Sequence, residues 1–385
     1  MPRHAAITGA HVTQVGELPG CTTLGLHMQA ACGAAADAGL ALDDLDGVLC
    51  AYSLAEPHPM LASAFCEYAH LRPAFSAVVQ AGGASAAIMV VQAAALVRAG
   101  VCRHVLVVTG DNRASGMSRD QTVAALAGFG HAQFERPFGL AIYAAYALVA
   151  QRYMHEYGTT LEDLAAIAVT HRRHAARHPN AHKRTPITLS DVMDSRVIAS
   201  PLRLLDCCLV SDGAAAVIVS SPDAAADCAK PPVRIAGSGQ GHTHEHVVAA
   251  PSLTAFGCRD SAARAFAEAG VGPADVDVAE IYDSFTITLL VELESMGFFA
   301  KGEAGAAATA GALDLGGRLP CNTHGGLLSF GHSGAAGGMF HVVEAVAQLR
   351  GEAGERQVPG ARIAFVHGDG GVLSAHCSMV LTADG

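Results

Sequence analysis

One order of elements occurs twice in this chain. Short apolar runs with the two-residue period of strands alternate with longer runs of helical period, most of them closed by a glycine. In the first third, strands are expected at residues 5–12, 47–52, 75–80 and 104–109, with helices at 24–38, 61–71 and 84–99. In the last third, strands at 233–237, 276–281, 319–322, 362–367 and 372–381 alternate with helices at 258–269, 287–296 and 334–350. Such alternation requires crossover connections, and so parallel strands covered by helices on both faces. In each half a glycine turn follows the third strand and opens the third helix, at Gly82-Gly83 and from Gly325-Gly326 onward. Shared order plus shared turns makes the halves candidate duplicates.

Residues 113–200 break the pattern. Two helices, 139–157 and 160–177, lead into the polar run HRRHAARHPNAHKR, and insertions of this kind in α/β folds usually cover an active site. A strand at 214–220, after Cys207-Cys208-Leu209-Val210-Ser211-Asp212-Gly213, closes the first half. The expected division is residues 1–230, with the insertion at about 113–205, and residues 231–385.

Composition narrows the function. A net charge of −11 argues against a general nucleic-acid binder, which needs a basic face to displace counterions. Trp is absent and aromatics are 5%, so a base-stacking platform is not expected. The 11 cysteines are odd in number and show no CxxC spacing, so neither a disulfide framework nor a zinc ribbon is expected. With no signal-peptide core near the start and no apolar run of membrane-spanning length, the expectation is a reduced, cytoplasmic protein with no membrane partner.

Several stretches together resemble the thiolase superfamily, in particular its sterol-carrier-protein-type branch. PLRLLDCCLVSDGAAAVIVSS is similar to the segment closing the first thiolase half, and GTTLEDLAAIAV with HRRHAARHPNA to the thiolase loop domain. EIYDSF stands where thiolases carry Asn-Glu-Ala-Phe or His-Asp-Cys-Phe, and NTHGGLLSFGHSGAAGG resembles the Asn-x-x-Gly-Gly and Gly-His-Pro-x-Gly block. The resemblance implies two βαβαβαββ halves in a five-layered α-β-α-β-α core with an inserted loop domain.

The departures bear on chemistry. Thiolases hold a nucleophilic Cys at the start of the third helix; the aligned residue here is Gly83. Their second Cys corresponds to His367, the Gly-His-Pro histidine is kept as His332 with Ser333 for Pro, and the third motif contributes Tyr282. Without an acyl-accepting thiol, ping-pong thiolysis has no nucleophile. The pattern resembles the thiolase-like aldolases of steroid side-chain degradation, formerly called lipid-transfer proteins. That resemblance implies retro-aldol cleavage of a β-hydroxyacyl-CoA, CoA entering only as part of the substrate. It further implies a homodimer, paired through the strands after the third helices, and a small OB-fold/zinc-ribbon partner.

Retro-aldol chemistry needs a base for the β-hydroxyl, donors for the enolate and an acid for the α-carbon. Tyr282, His332 and His367 are the expected proton-transfer groups, with His324 as oxyanion support. Tyr282 could equally be a core tyrosine, His367 a turn residue and His324 a turn hydrogen-bonder. Gly83 would leave room beside the β-carbon, and the Gly83–Ala84 backbone could donate to an oxyanion. Asp283, Asn322 and Gly371 complete the expected substrate shell, Asp283 orienting its neighbours. Arg172, Arg173, Lys183, Arg184 and His244 are candidates for CoA contacts, against the plainer reading of a solvated loop. Cys207, Cys208 and Cys321 read as packed thiols. His242, His244 and His246 look like a metal tract, but no carboxylate or Cys completes it, so no metal is expected. The rivals to the lyase reading are a thiolase subunit of a two-protein complex and a non-catalytic binding subunit.

Overall fold

The computed structural model describes residues 5–383. Its central sheet has nine strands: β1 (Ala6–Val12), β2 (Gly47–Ala51), β3 (Phe75–Val79), β4 (His104–Asn112), β5 (Asp212–Ser220), β6 (Val233–His242), β7 (Val278–Ile281), β8 (Ile363–Gly370) and β9 (Ala375–Ala383). Their order is β3-β2-β4-β5-β1-β6-β9-β8-β7. The first five strands come from one half of the chain and the last four from the other. Within the sheet, the halves meet where Ala6 and Ile7 lie opposite Arg234 and Val233. On either side of that seam the same arrangement runs outward, antiparallel strands first and the parallel crossover strands at the edge.

The main helices are α1 (Thr23–Ala38), α2 (Leu61–Tyr68), α3 (Ser85–Arg98), α4 (Ile142–Tyr157), α5 (Leu161–Ala176), α6 (Cys258–Ala269), α7 (Thr286–Ser295) and α8 (Ala336–Arg350). Helices α3 and α8 touch each other and strands of both halves, so they form a middle layer between the two halves of the sheet. One apolar cluster fills that layer. A second lies under α1 and α2, and a third under α4, α6 and α7. These are the five expected layers. Ends are set locally: Thr22 caps α1 by accepting from the Gly25 amide, and Gly39 ends it in the left-handed region. Thr160 and Asp163 form a reciprocal capping box at the start of α5.

Three expectations need correction. The strand expected at 319–322 is a single bridge, Cys321 opposite Ala279. Asn322 there takes φ 50 and uses its side-chain amide to pair with both N–H and C=O of Ile281, which ends the ladder. Gly325-Gly326 opens only a four-residue turn of helix, Gly326–Ser329, and α8 begins after a second glycine loop, residues 331–334. The strands following the third helices, β4 and β8, are flanked on both sides and cannot pair across a dimer; β3 has a free edge. Among the described residues no helix is long and apolar enough to cross a membrane.

Candidate active site

Four segments converge at one end of the sheet halves: the Gly82-Gly83 turn before α3, the end of β7 at Tyr282, the loop 331–334 before α8, and the turn after β8. They enclose a cavity of about 240 Å³. The insertion covers it with apolar side chains that include Leu126, Phe129, Ile142 and Ile198. The two glycine turns meet backbone to backbone. A Cβ on Gly82, at φ +58, would lie 2.8 Å from Gly370 Cα, and one on Gly370 would lie 2.0 Å from the Ala81 carbonyl oxygen. Ser85 ties the turn down, accepting from the Ala81 amide (2.9 Å) and donating to the Gly82 carbonyl (2.7 Å).

Gly83 does not leave a void. A Cβ there would fall 2.1 Å from Tyr282 Cζ and 2.3 Å from Tyr282 Oη. The expectation of free room beside the β-carbon is therefore corrected: the tyrosine hydroxyl occupies the place where a side chain on residue 83 would begin. Residues 83 and 282 are a steric pair, and any side chain at 83 displaces the ring.

Tyr282 Oη lies 3.0 Å from His332 Nε2, and His332 Nδ1 lies 3.1 Å from Cys208 Sγ. Burial, with Arg113 and His341 nearby, lowers the His332 pKa to about 3, so its ring is neutral. With its Nδ1–H assigned to the Cys208 Sγ contact, the ring leaves Nε2 to accept the Tyr282 proton. Burial also raises Tyr282 well above an ordinary phenol and pushes the Cys208 thiol up to about 12. Resting tyrosinate and thiolate are both disfavoured; the site holds a hydroxyl hydrogen-bonded to a neutral base.

Sequence reasoning missed three members of this wall. Arg113 is 5% exposed and lines the cavity, and its Nε has no hydrogen-bond partner among the described residues. Asp369 lines it too, accepting from Tyr146 Oη at 2.8 Å; burial and the neighbouring Glu292 raise its carboxyl well above the usual range. Cys208, read as a packed thiol, is on the wall beside His332. The only signal was positional: an Asp inside a glycine turn, and an Arg directly after a buried strand.

Tyr282, His332, Gly83 and Gly371 line the cavity as expected. Other candidates do not. His367 points into a buried cluster with His376 and Glu292. His324 lies 2.9 Å from Glu280, close enough for an ion pair though off the line of a hydrogen bond. Asn322 is the backbone clamp described above. Asp283 accepts from the Leu327 and Leu328 amides and faces His171 at 2.8 Å, an orienting role. Ala84 is buried behind the turn. Arg172 is buried and donates to Ser329 and the Thr185 carbonyl, and Arg173 grips Asp314 with both contacts at 2.7 Å, so their guanidinium groups are already engaged. Lys183 and Arg184 are exposed outside the cavity wall, and His244 bonds the Val372 carbonyl.

A model of the thiolase C-terminal domain-like family matches residues 239–383. The acetyl-CoA acetyltransferase of Methanothermobacter thermautotrophicus is 34% identical over 385 residues, covering 97% of this chain and 99% of that protein. The 17-hydroxy-3-oxo-4-pregnene-20-carboxyl-CoA lyase of Mycobacterium tuberculosis is 37% identical over 359 residues, covering 90% and 92%. Among solved structures, the Ltp2-ChsH2(DUF35) aldolase superposes with a TM-score of 0.88 at 35% identity, covering 100% of this chain and 98% of that one.

Proposed function

The chain belongs to the thiolase superfamily, and we propose that within it the protein is a carbon–carbon lyase, cleaving a bulky β-hydroxyacyl-CoA to a ketone or aldehyde and a short acyl-CoA. The observation that carries this reading is the steric pair: a tyrosine hydroxyl stands where residue 83 would otherwise carry a side chain. No thiol stands at residue 83 to accept an acyl group, and a tyrosine hydroxyl backed by a neutral imidazole can relay a proton.

The steps follow from that geometry. The substrate β-hydroxyl gives its proton to Tyr282 Oη as Oη passes its own to His332 Nε2. The β-oxygen forms its carbonyl and the Cα–Cβ electron pair moves onto the thioester, whose oxygen becomes an enolate. Arg113, with its free Nε, is the donor available to that oxygen. The proton then returns from His332 through Tyr282 to the α-carbon; burial makes the imidazolium a strong acid and favours its return. The reaction draws on no cofactor beyond the CoA of the substrate. The apolar cover of the insertion suits a large hydrophobic acyl group, and the lyase relative makes a steroid side chain the leading substrate class.

A second reading has one observation in its favour, the Cys208–His332 contact on the cavity wall, which would serve a thiolase. Against it stands the thiol held protonated by burial. Incubating the protein with a branched β-hydroxyacyl-CoA and no free CoA, with mass spectrometry of the products, separates the two. The lyase reading expects carbonyl compound plus acyl-CoA, kcat falling about 10²–10⁴-fold in Tyr282→Phe and little changed in Cys208→Ala. Cleavage of only a β-ketoacyl-CoA, only with added CoA and lost in Cys208→Ala, overturns it. The same assay with a co-expressed small OB-fold/zinc-ribbon protein tests that partner. We place the homodimer contact at the free edge of β3, and the protein in the reducing cytoplasm, which suits its free cysteines.

A further inference from the structure

A second buried cluster lies behind the cavity wall. Glu292 of α7 meets His367 of β8 and His376 of β9, all fully buried. His367 Nε2 is 3.2 Å from His376 Nδ1, and Glu292 Oε1 is 3.4 Å from the first and 3.8 Å from the second. The ring-to-ring contact has hydrogen-bond length, but the carboxyl is joined to neither ring by a hydrogen bond. Among the described residues neither oxygen of Glu292 has a hydrogen-bond partner. A carboxyl group buried without a partner is costly, which makes an orphan of this kind rare.

The protons of the two rings can be placed from their outer partners. His376 Nε2 faces the Leu373 carbonyl at 2.9 Å, so in the neutral ring Nε2 carries the hydrogen and Nδ1 is a bare lone pair. His367 Nδ1 faces Ser378 Oγ at 2.8 Å, Ser378 Oγ faces Ser261 Oγ at 2.8 Å, and Ser261 Oγ donates to the Cys258 carbonyl at 3.0 Å. Ser261 has one hydroxyl hydrogen and spends it on Cys258, so Ser378 donates to Ser261 and His367 Nδ1–H donates to Ser378. His367 Nε2 is then also a lone pair. With Glu292 ionised, two ring lone pairs and a carboxylate oxygen face one point with no hydrogen between them.

We propose that Glu292, His367 and His376 are the ligands of a zinc ion held between α7, β8 and β9, a structural site behind the substrate cavity. Bonds of about 2.0–2.1 Å to His and carboxylate place tetrahedral ligands about 3.3 Å apart, close to the spacing seen. Each histidine donates its other N–H to an outer partner, the arrangement that orients metal-bound imidazole. Asp369 Oδ1, also without a hydrogen-bond partner among the described residues, lies 3.8 Å from His376 Nδ1 and is the candidate for the fourth ligand. Among the described residues the His242–His246 tract is not gathered into such a group.

The test uses the untagged full-length chain. Elemental analysis after purification is expected to find about one zinc per chain. Removing it with a chelator and adding Co²⁺ is expected to give one equivalent bound, with the visible absorption of tetrahedral cobalt. Glu292→Gln and His376→Gln, folded by circular dichroism, are expected to lose at least tenfold in affinity, and the triple variant His242→Ala/His244→Ala/His246→Ala to keep it. Chelated, folded wild-type protein that takes up neither Co²⁺ nor Zn²⁺ overturns the proposal, as does a metal lost from the triple variant but kept by Glu292→Gln. Neither readout depends on the lyase reaction.

Discussion

Two carboxylate–histidine clusters lie in the same half of the molecule and differ in one respect. Around Glu280, every charge has an answer: Oε1 accepts from the Thr323 amide and hydroxyl, and Oε2 faces His324 at 2.9 Å and His341 at 3.4 Å. Burial opposes ionisation, yet the two histidines hold the Glu280 carboxyl well below its usual range, and Glu280 lifts His324 above its own. Around Glu292, burial with Asp283 nearby raises the carboxyl well above its usual range, and both histidines are lowered, His367 to about 3. The same residue types thus make an ion pair in one place and an uncharged cluster with an unpartnered carboxyl in the other. The difference comes from the outer partners, which supply hydrogens to Glu280 and take the ring hydrogens away from Glu292.

The largest expected effect tests that contrast directly. Glu280→Gln removes the partner of a buried charged histidine and should cost about 3–5 kcal/mol. Glu292→Gln, in chelated protein, replaces a carboxyl already kept neutral and should stay within about 1 kcal/mol. Urea unfolding measures both; equal costs would erase the distinction. A smaller effect is expected from pH. The depressed Glu280 contributes stability above the unfolded value of about 4.3, lost as pH falls through the folded pKa. The raised His324 contributes stability below about 6.5, lost as pH rises through its folded pKa. Wild type should therefore weaken at both ends of a pH 3–9 series, and Glu280→Gln should flatten both limbs. The smallest effect belongs to Ser378→Ala, which removes the acceptor that sets the His367 tautomer: about 1 kcal/mol in chelated protein, read in the same unfolding assay. A cost near that of Glu280→Gln would mean that the serine chain does more than orient one ring.

Much of the architecture was legible beforehand. Strand and helix periods record which faces are buried, and a doubled element order records a doubled layer. Tyr282, His332 and Gly83 were legible because glycine turns mark where backbone must approach closely, and polar residues beside them line what the approach encloses. Direction was not legible. His367 and Asp369 lie two apart on one strand, yet only Asp369 lines the cavity. The basic run stayed open between a CoA surface and a solvated loop because its partners were invisible: Arg173 finds Asp314, and Arg172 finds Ser329, more than a hundred residues away.

By itself, then, the sequence determined the layered α/β architecture, the missing thiol at residue 83 and the candidacy of Tyr282 and His332. Those features are local, written in periodicity and in which side chains exist. Only the tertiary structure decided that Tyr282 fills the space at Gly83, that Arg113 and Cys208 join the wall, and that one carboxylate is answered while the other is not. A side chain's charge and protonation depend on what burial removes and which distant partner replaces the water, and that is settled only when the halves close on each other.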